Sequence, residues 1–556
     1  MLHSISALTS TFLLHLDMCI MTRKLTLIIA LFISAFSTQA QSDPFQIHLE
    51  PLRMEGLPGI QAYAWGQHDG LWLIVGGRID GLHRRQPWAT FNPEGRNIQL
   101  TVVDPAHQKI WTSPLTSLSI PLQDQLSSTN MEFHQDGNTL YLVGGYGHSQ
   151  TIDAKVTYAM LTAIDMPSVI MAVINGQDLS PYVKTMTDPR FAVTGGHLHK
   201  INETYFLVGG QKFDGNYNPM NHPSFTQEYI NGFRRFQLEN DGTSIKVTQY
   251  TSVTDTAAFH RRDYNVAPLI LPDGQEGLMS YSGPFQLIAD LPYLNVVSID
   301  QNKYTAVPGF AQYYCNYHSA VMPMYSSADQ AMHTIFFGGI AQYADEDGKL
   351  VEDSDVPFVK TISRVTQDAQ GMLTEYKLSI EMPGYLGASA EFIPASGIPR
   401  YDNGVIKLDQ LRGDSMLVGY VYGGIESTAA NIFWINDSDQ SVAHPVAYKV
   451  YVVKRKGPIK DQLNVQSHNG LQLQIFPTSG DEMFNILFTL SQKSRISVTI
   501  SDEKGKVVLK EDWTNQVQLG ANHFIRKVKP FTIGEMYAVT MTVDGKSATQ
   551  YVRVKA

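Results

Sequence analysis

Eight side chains stand out as candidates for chemistry: Arg78, Arg190, Arg262, Asp263, Tyr317, His318, Arg400 and Asp402. They open or follow short apolar runs. Arginine grips carboxylates and phosphates through a planar, two-pronged contact. Several arginines delivered to one place would hold an anionic or sugar-acid ligand. Each taken alone can equally tie one part of the fold to the next. A second set follows Gly-Gly pairs or a closely related position: Asp80, His83, Tyr146, His148, Lys212, Asp214 and Glu426.

Three segments concentrate reactive groups. Tyr313–Ser319 (YYCNYHS) holds three tyrosines, a cysteine and a histidine. Read as a strand, it puts Cys315 and Tyr317 on one face and Asn316 and His318 on the other, with Cys315 in the core. Phe259–Tyr264 (FHRRDY) holds a base, two cations and an acid. Adjacent positions of a strand do not face each other, so it reads as a charged entry loop. Asp345–Gly348 and Glu352–Asp355 lack the spacing and distal Glu of a calcium loop and read as a solvated hairpin tip. Asn218–Pro223 shows no metal-ligand pattern. No Walker loop, Rossmann fingerprint, HExxH or GxSxG occurs. No cofactor or metal is expected, and no residue is assigned as catalytic.

The elements that must position these residues follow from repetition. An apolar, β-branched or aromatic run ending in Gly-Gly recurs at Gly77, Gly145, Gly210, Gly339 and Gly424, with a weaker copy, LMSYSG, ending at Gly283. The gaps are 68, 65, 73, 56 and 85 residues. Each run reads as a buried strand, and a glycine pair in a strand marks a bulge or close backbone approach. An upstream strand precedes each pair, opening at 61–63, 129–131, 189–191, 262–264, 315–318 and 400–402. Two more strands follow, clearest at Ile98–Val103 and Lys109–Trp111. Phe45–Leu49 is expected to join the last unit beside Tyr448–Val453. Four short strands per unit repeated radially describe a β-propeller.

These repeats resemble the Kelch motif. VVDPAHQKIW (Val102–Trp111) carries its second half, and Tyr317–Val321 resembles the opening before the Gly-Gly. The fourth unit lacks the Gly pair, and units near 68 residues exceed the usual Kelch length. The resemblance implies an all-β fold, with a Kelch-type propeller over 41–455; six blades fit best, and seven follow if the 85-residue gap hides a degenerate one.

Composition bounds the class. The 556 residues carry 42 Lys plus Arg against 52 Asp plus Glu, net −10, which argues against nucleic acid as a partner. With 43% hydrophobic and 10% aromatic residues the chain can build cores and is not disordered. Two cysteines, Cys19 and Cys315, exclude a disulfide scaffold. Residues 461–556 carry 11 basic and 9 acidic side chains and the first forty residues one net positive charge, which leaves −13 on 41–460.

Residues 1–40 read as a secretory signal peptide, with Met21 the expected start. Met21–Lys24 is basic, Leu25–Phe36 apolar, and Thr38-Gln39-Ala40 a small-residue cleavage site. Its cleavage would remove Cys19. No later stretch is long and apolar enough to span a membrane. Residues 456–470 read as a polar linker, and 471–556 as about seven alternating strands, a small immunoglobulin-like β-sandwich.

That tail resembles the C-terminal sorting domain of the type IX (Por) secretion system of Bacteroidetes. The carriers are Asp502 with Gly505–Val508, Gly520, Gly534 before Tyr537, Asp544–Lys546 and the basic end Tyr551–Lys555. Phe476-Pro477-Thr478 stands where the family has Pro-Asn-Pro. The resemblance implies passage across the outer membrane through that machinery, followed by tail removal or surface attachment. The whole chain then reads as a secreted or cell-surface binding propeller for glycan or protein ligands at the channel mouth, leaning away from an enzyme. The first alternative is a sugar-active enzyme resembling the Kelch mutarotases. The second is a copper-radical oxidase of the galactose-oxidase type, the only reading that brings copper.

Overall fold

The computed structural model describes residues 45–219, 224–346, 349–436, 439–454, 463–465, 471–478, 483–490, 492–529 and 531–554. The expected signal peptide, Cys19, most of the expected linker, Met220–Pro223 and Asp347–Gly348 lie outside them. One compact unit holds Ile47–Val453 and Gln462–Ala556; of the other, Met1–Gln46 with Lys454–Asp461, only Phe45, Gln46 and Lys454 are described. The chain is all-β. No helix among the described residues is long and apolar enough to cross a membrane.

Six antiparallel sheets, each built on four strands, follow one another along the chain. The first is Ala64–His68, Leu71–Val75, Gln99–Asp104 and Lys109–Pro114. The next four begin at Glu132, His197, Asn265 and Ala320. The sixth runs Tyr385–Pro394, Ser415–Ser427 and Ala447–Lys454, and its outer place is taken by the N-terminal strand Phe45–Leu52. Lys449 reaches Glu50 across that last pairing at 2.8 Å. Second strands are buried on both faces, as Trp72–Val75 show, because each sheet is covered on either side.

The glycine pairs do the work expected of them. Both members of all five pairs have positive φ, and in the fourth sheet Ser282 and Gly283 do the same. The second residue then donates its N–H to the chain entering the next sheet: Gly77 to Ser128, Gly145 to Val193, Gly210 to Arg261 and Gly283 to Asn316. Gly424 of the sixth sheet donates to Ile60, ahead of the first. Every sheet carries an insertion between its second and third strands, directly after this position, and these emerge at one end; the sixth sheet has a further one, residues 395–414, between its first and second strands.

Just before the first, inner strands of five sheets, and within that of the sixth, lies a closed cycle of backbone hydrogen bonds. Asn130 donates to Ala62 (3.1 Å), Gly195 to Asn130 (3.2 Å), Asp263 to Gly195 (2.7 Å) and His318 to Asp263 (2.8 Å). Ser389 donates to His318 (2.9 Å), and Ala62 to Ser389 (2.9 Å). Each of the six sheets contributes one member.

Some expected strand openings are displaced. Pro189–Phe191 is a short 3-10 turn, capped by Asp188, and the third inner strand begins only at His197. Tyr313–Ser319 is not a strand: Cys315 has φ +54° and the main chain of Asn316 bonds to Ile340, so the expected alternation does not apply there. Arg400–Asp402 follows the sixth inner strand rather than opening it. The helix Met166–Asn175, which the reading of the sequence did not anticipate, packs Met166, Val169 and Val173 into the core shared by the first two sheets.

Residues 471–554 add seven strands in two sheets around Leu473, Phe484, Ile486, Trp513, Tyr537 and Val552. They join the body directly. The acidic hairpin Tyr343–Glu346 and Lys349–Glu352 pairs with Lys546–Arg553 in parallel, extending the tail's sheet to six strands. Gln474 donates to Pro292 and Gln342 and accepts from Gln286. Within the expected linker, Leu463–Val465 forms a strand on the outer edge of the fifth sheet.

Gly144 and Gly176 share a φ of +63°, but a Cβ on Gly144 would strike the Val193 carbonyl of the next sheet while one on Gly176 would meet nothing. Gly144→Ala should cost roughly 3 kcal/mol or more, against about 1 for Gly176→Ala. Urea unfolding midpoints check the difference.

Candidate functional site

The first strands of all six sheets line one cavity of about 620 Å³. Its wall runs from the hydrogen-bonded cycle to the far ends of those strands, where Arg400, Tyr401, Asp402 and Asn403 stand. Two-residue alternation delivers polar groups inward. His197 and His199 sit two apart on one strand, their rings parallel with centroids 5.9 Å apart. Glu132 and His134 come from the strand before, Asp263 and His318 from the cycle, and Glu391 from the sixth sheet. Tyr63, Trp65 and Phe133 add aromatic surface.

The hydrogen bonds fix the imidazoles. His197 Nε2 lies 2.6 Å from the Tyr264 carbonyl and His199 Nε2 2.9 Å from that of Val266. A carbonyl only accepts, so both Nε2 atoms carry the proton and Nδ1 of each neutral ring is an acceptor. Burial holds His197 well below the usual range, His199 at about 4 and His134 at about 3. His318 differs. Burial opposes its charged form, but Glu391, with Oε1 at 3.1 Å from Nε2, and then Asp263 outweigh burial and raise it. Glu132 accepts the Gly196 N–H at 2.8 Å, while its other oxygen has no partner, and burial pushes the carboxyl up to about 8. The wall near the cycle thus holds neutral acceptors, a protonated carboxyl and one imidazole–carboxylate pair. That set can hydrogen-bond hydroxyls and can take up or give a proton.

Of the eight sequence candidates, Asp263, His318, Arg400 and Asp402 border the cavity, the last two at the end away from the cycle. Arg262 pairs with Asp263 but turns to the insertion side, donating to the Tyr229 hydroxyl and stacking on Phe285. Tyr317 lies against the edge of the same Phe285 ring. Arg78 is buried, held by Asp80 and the Asn92 carbonyl. Arg190 is held by Asp188 and covers Tyr250. The arginines therefore do not converge; three of the four are neutralised by neighbouring carboxylates. In the second group, Lys212 pairs with Asp214, Glu426 with His444 and His83 stacks on Phe91.

Cys315 is buried, with Ser319 Oγ 2.9 Å from its sulfur, and burial pushes the thiol up to about 12. Among the described residues no three His, Cys, Asp or Glu side chains are placed to hold a metal ion.

The sequence candidates missed Glu132, His134, His197, His199 and Glu391. The signal was present: EFH, HLH and the isolated Glu391 place polar groups inside otherwise apolar first strands at period two.

No family model matches the chain, and no curated protein matches it. Among solved structures, one titled "Structure of YjhT" is similar over 72% of this chain and 99% of its own, at 10% identity and a TM-score of 0.41.

Buried Glu132 and Glu375 both titrate near 8, raised from 4.5 first of all by burial. The folded state then binds more protons than the unfolded state between these values, so stability falls as pH rises from about 4.5 to 8. Each group contributes a slope of up to about 1.4 kcal/mol per pH unit. Glu132→Gln and Glu375→Gln should each flatten that fall, read by urea unfolding at pH 5, 6, 7 and 8.

Proposed function

We propose that the six sheets form a six-bladed Kelch-type β-propeller around the cavity, and that the cavity binds a saccharide. The observation that carries this reading is the lining: the first strand of every sheet contributes, and the polar and aromatic groups together suit a hydroxyl-rich ring. The volume falls within the range of small-ligand sites. A narrow interior site favours a small glycan or a glycan end over a protein surface. The arginine pairing described above turns the expectation from a sugar acid toward a neutral sugar, with Arg400 left to meet a substituent at the mouth.

In the same reading residues 1–40 direct export, and 471–556 act as a type IX sorting domain that brings the protein to the outer surface or beyond. The support is the basic–apolar–small pattern of the leader and the motif residues of the tail.

His318 and Glu391 favour a second reading, proton transfer on the bound sugar in the manner of a mutarotase. Glu132, with one carboxyl oxygen unpartnered, lines the same cavity and supplies a second group able to exchange a proton.

Calorimetric titration with neutral mono- and disaccharides should give binding that His318→Ala and Glu391→Gln each weaken at least about tenfold. Arg190→Ala should leave it unchanged. Equal affinity in all four proteins would sink the assignment. Accelerated exchange between anomers, followed by NMR in wild type and lost in both cavity variants, would select the enzyme reading.

A further inference from the structure

A second, much smaller cavity of about 20 Å³ lies between the insertion loop of the first sheet and the hairpin Tyr146–Ser149/Ala154–Thr157 of the second. Its lining holds three cations, Arg78, Arg96 and Lys155, with His148, Phe91 and Tyr146. The carboxylates nearby are already engaged. Asp80 holds Arg78 through both oxygens. Asp153, exposed, stands 3.5 Å from His148. Asp124 accepts from the backbone and side chain of Gln150.

Two of the three cations have no carboxylate partner among the described residues. Lys155 donates only to the Thr90 carbonyl, although its ammonium is half-buried. Burial, then the charge of Arg78, lower it to about 8. Arg96 has a buried Nη1 with no hydrogen-bond partner. Buried charges in proteins are paired, and buried donors are hydrogen-bonded. Arg96 Nη1 breaks the second rule, and no carboxylate stands on a lining that holds Arg78, Arg96 and Lys155. A small anion answers both. The volume admits a single atom-sized occupant.

We propose that Arg96 and Lys155 bind a monovalent halide ion, chloride under ordinary conditions. The ion bridges the first two sheets at the insertion end and fastens the first sheet's long loop to the second sheet's hairpin. This site is separate from the large cavity and from the reading given to it.

Crystals of the full chain soaked in bromide should show an anomalous peak in contact with Arg96 and Lys155. In solution at fixed ionic strength, the unfolding temperature should rise with the logarithm of chloride when chloride replaces gluconate. Arg96→Gln and Lys155→Gln should remove that dependence, whatever their own stability. Density that remains a water in bromide, or wild-type unfolding temperatures equal in the two salts, would overturn the proposal.

Discussion

Six main-chain hydrogen bonds running from Ala62 through Asn130, Gly195, Asp263, His318 and Ser389 back to Ala62 are the constraint on which the rest depends. Each residue must donate to one neighbouring sheet and accept from the other, so its N–H and C=O lie along the cycle rather than along its strand. Five of the six meet this with positive φ. Non-glycine residues resist that conformation by about 1–2 kcal/mol, eased for Asn and Asp. Four non-glycine residues accept it here because the surrounding sheets leave the chain no other way to satisfy buried polar groups. Once the cycle is closed, the first strands pass it in a common register and their inward side chains share one cavity. The insertions that leave after the glycine pairs gather on the other side of it.

This arrangement explains what could be read in advance. The glycine pairs were legible because their conformation and the close approach of Val193 or Ile60 exclude side chains, and exclusion leaves a mark on residue type. The N-terminal strand was legible for a similar reason: FQIHL alternates and needs a sheet edge. The cycle was not legible. It is made of main chain, so Ala, Asn, Gly, Asp, His and Ser serve equally, and no common letter repeats. Arg400–Asp402 was misplaced because the sixth inner strand, YLGASAEFIP, opens without polar residues and the polar insert after it resembles an opening.

The cavity residues teach a related lesson about charge. Arginine drew attention because it is the strongest anion binder, yet strength of that kind is also what pairs it within the fold. Asp80 and Asp188, two residues from Arg78 and Arg190, and Asp263, adjacent to Arg262, complete those pairs locally. Histidine and glutamate on the inner strands have no such local partners, and their environment is set by burial and by contacts across the cavity. Glu391 meets His318 across 73 residues of chain. A pairing of that range follows from closure of the cycle and has no counterpart in a local stretch of sequence. Burial within the closed cavity, which no local stretch of sequence displays, is what first shifts Glu132, His134 and His197.

The tail carries the argument one step further. Read from composition it is a separate positively charged module behind a linker. In the fold its last strand continues an acidic hairpin of the fifth sheet, with Val351 opposite Tyr551 and Glu352 opposite Val552. Arg553 meets Glu346 at the exposed edge. Opposite net charges thus have a structural use: the acidic insertion and basic terminal strand are complementary edges. Beneath them the buried amides of Gln342, Gln474 and Gln550 satisfy carbonyls that would otherwise face apolar surface. Separating tail from body would expose those amides and an unpaired strand edge together. Any process that acts on the tail as a free domain has first to peel the strand Lys546–Arg553 from the strand Lys349–Glu352.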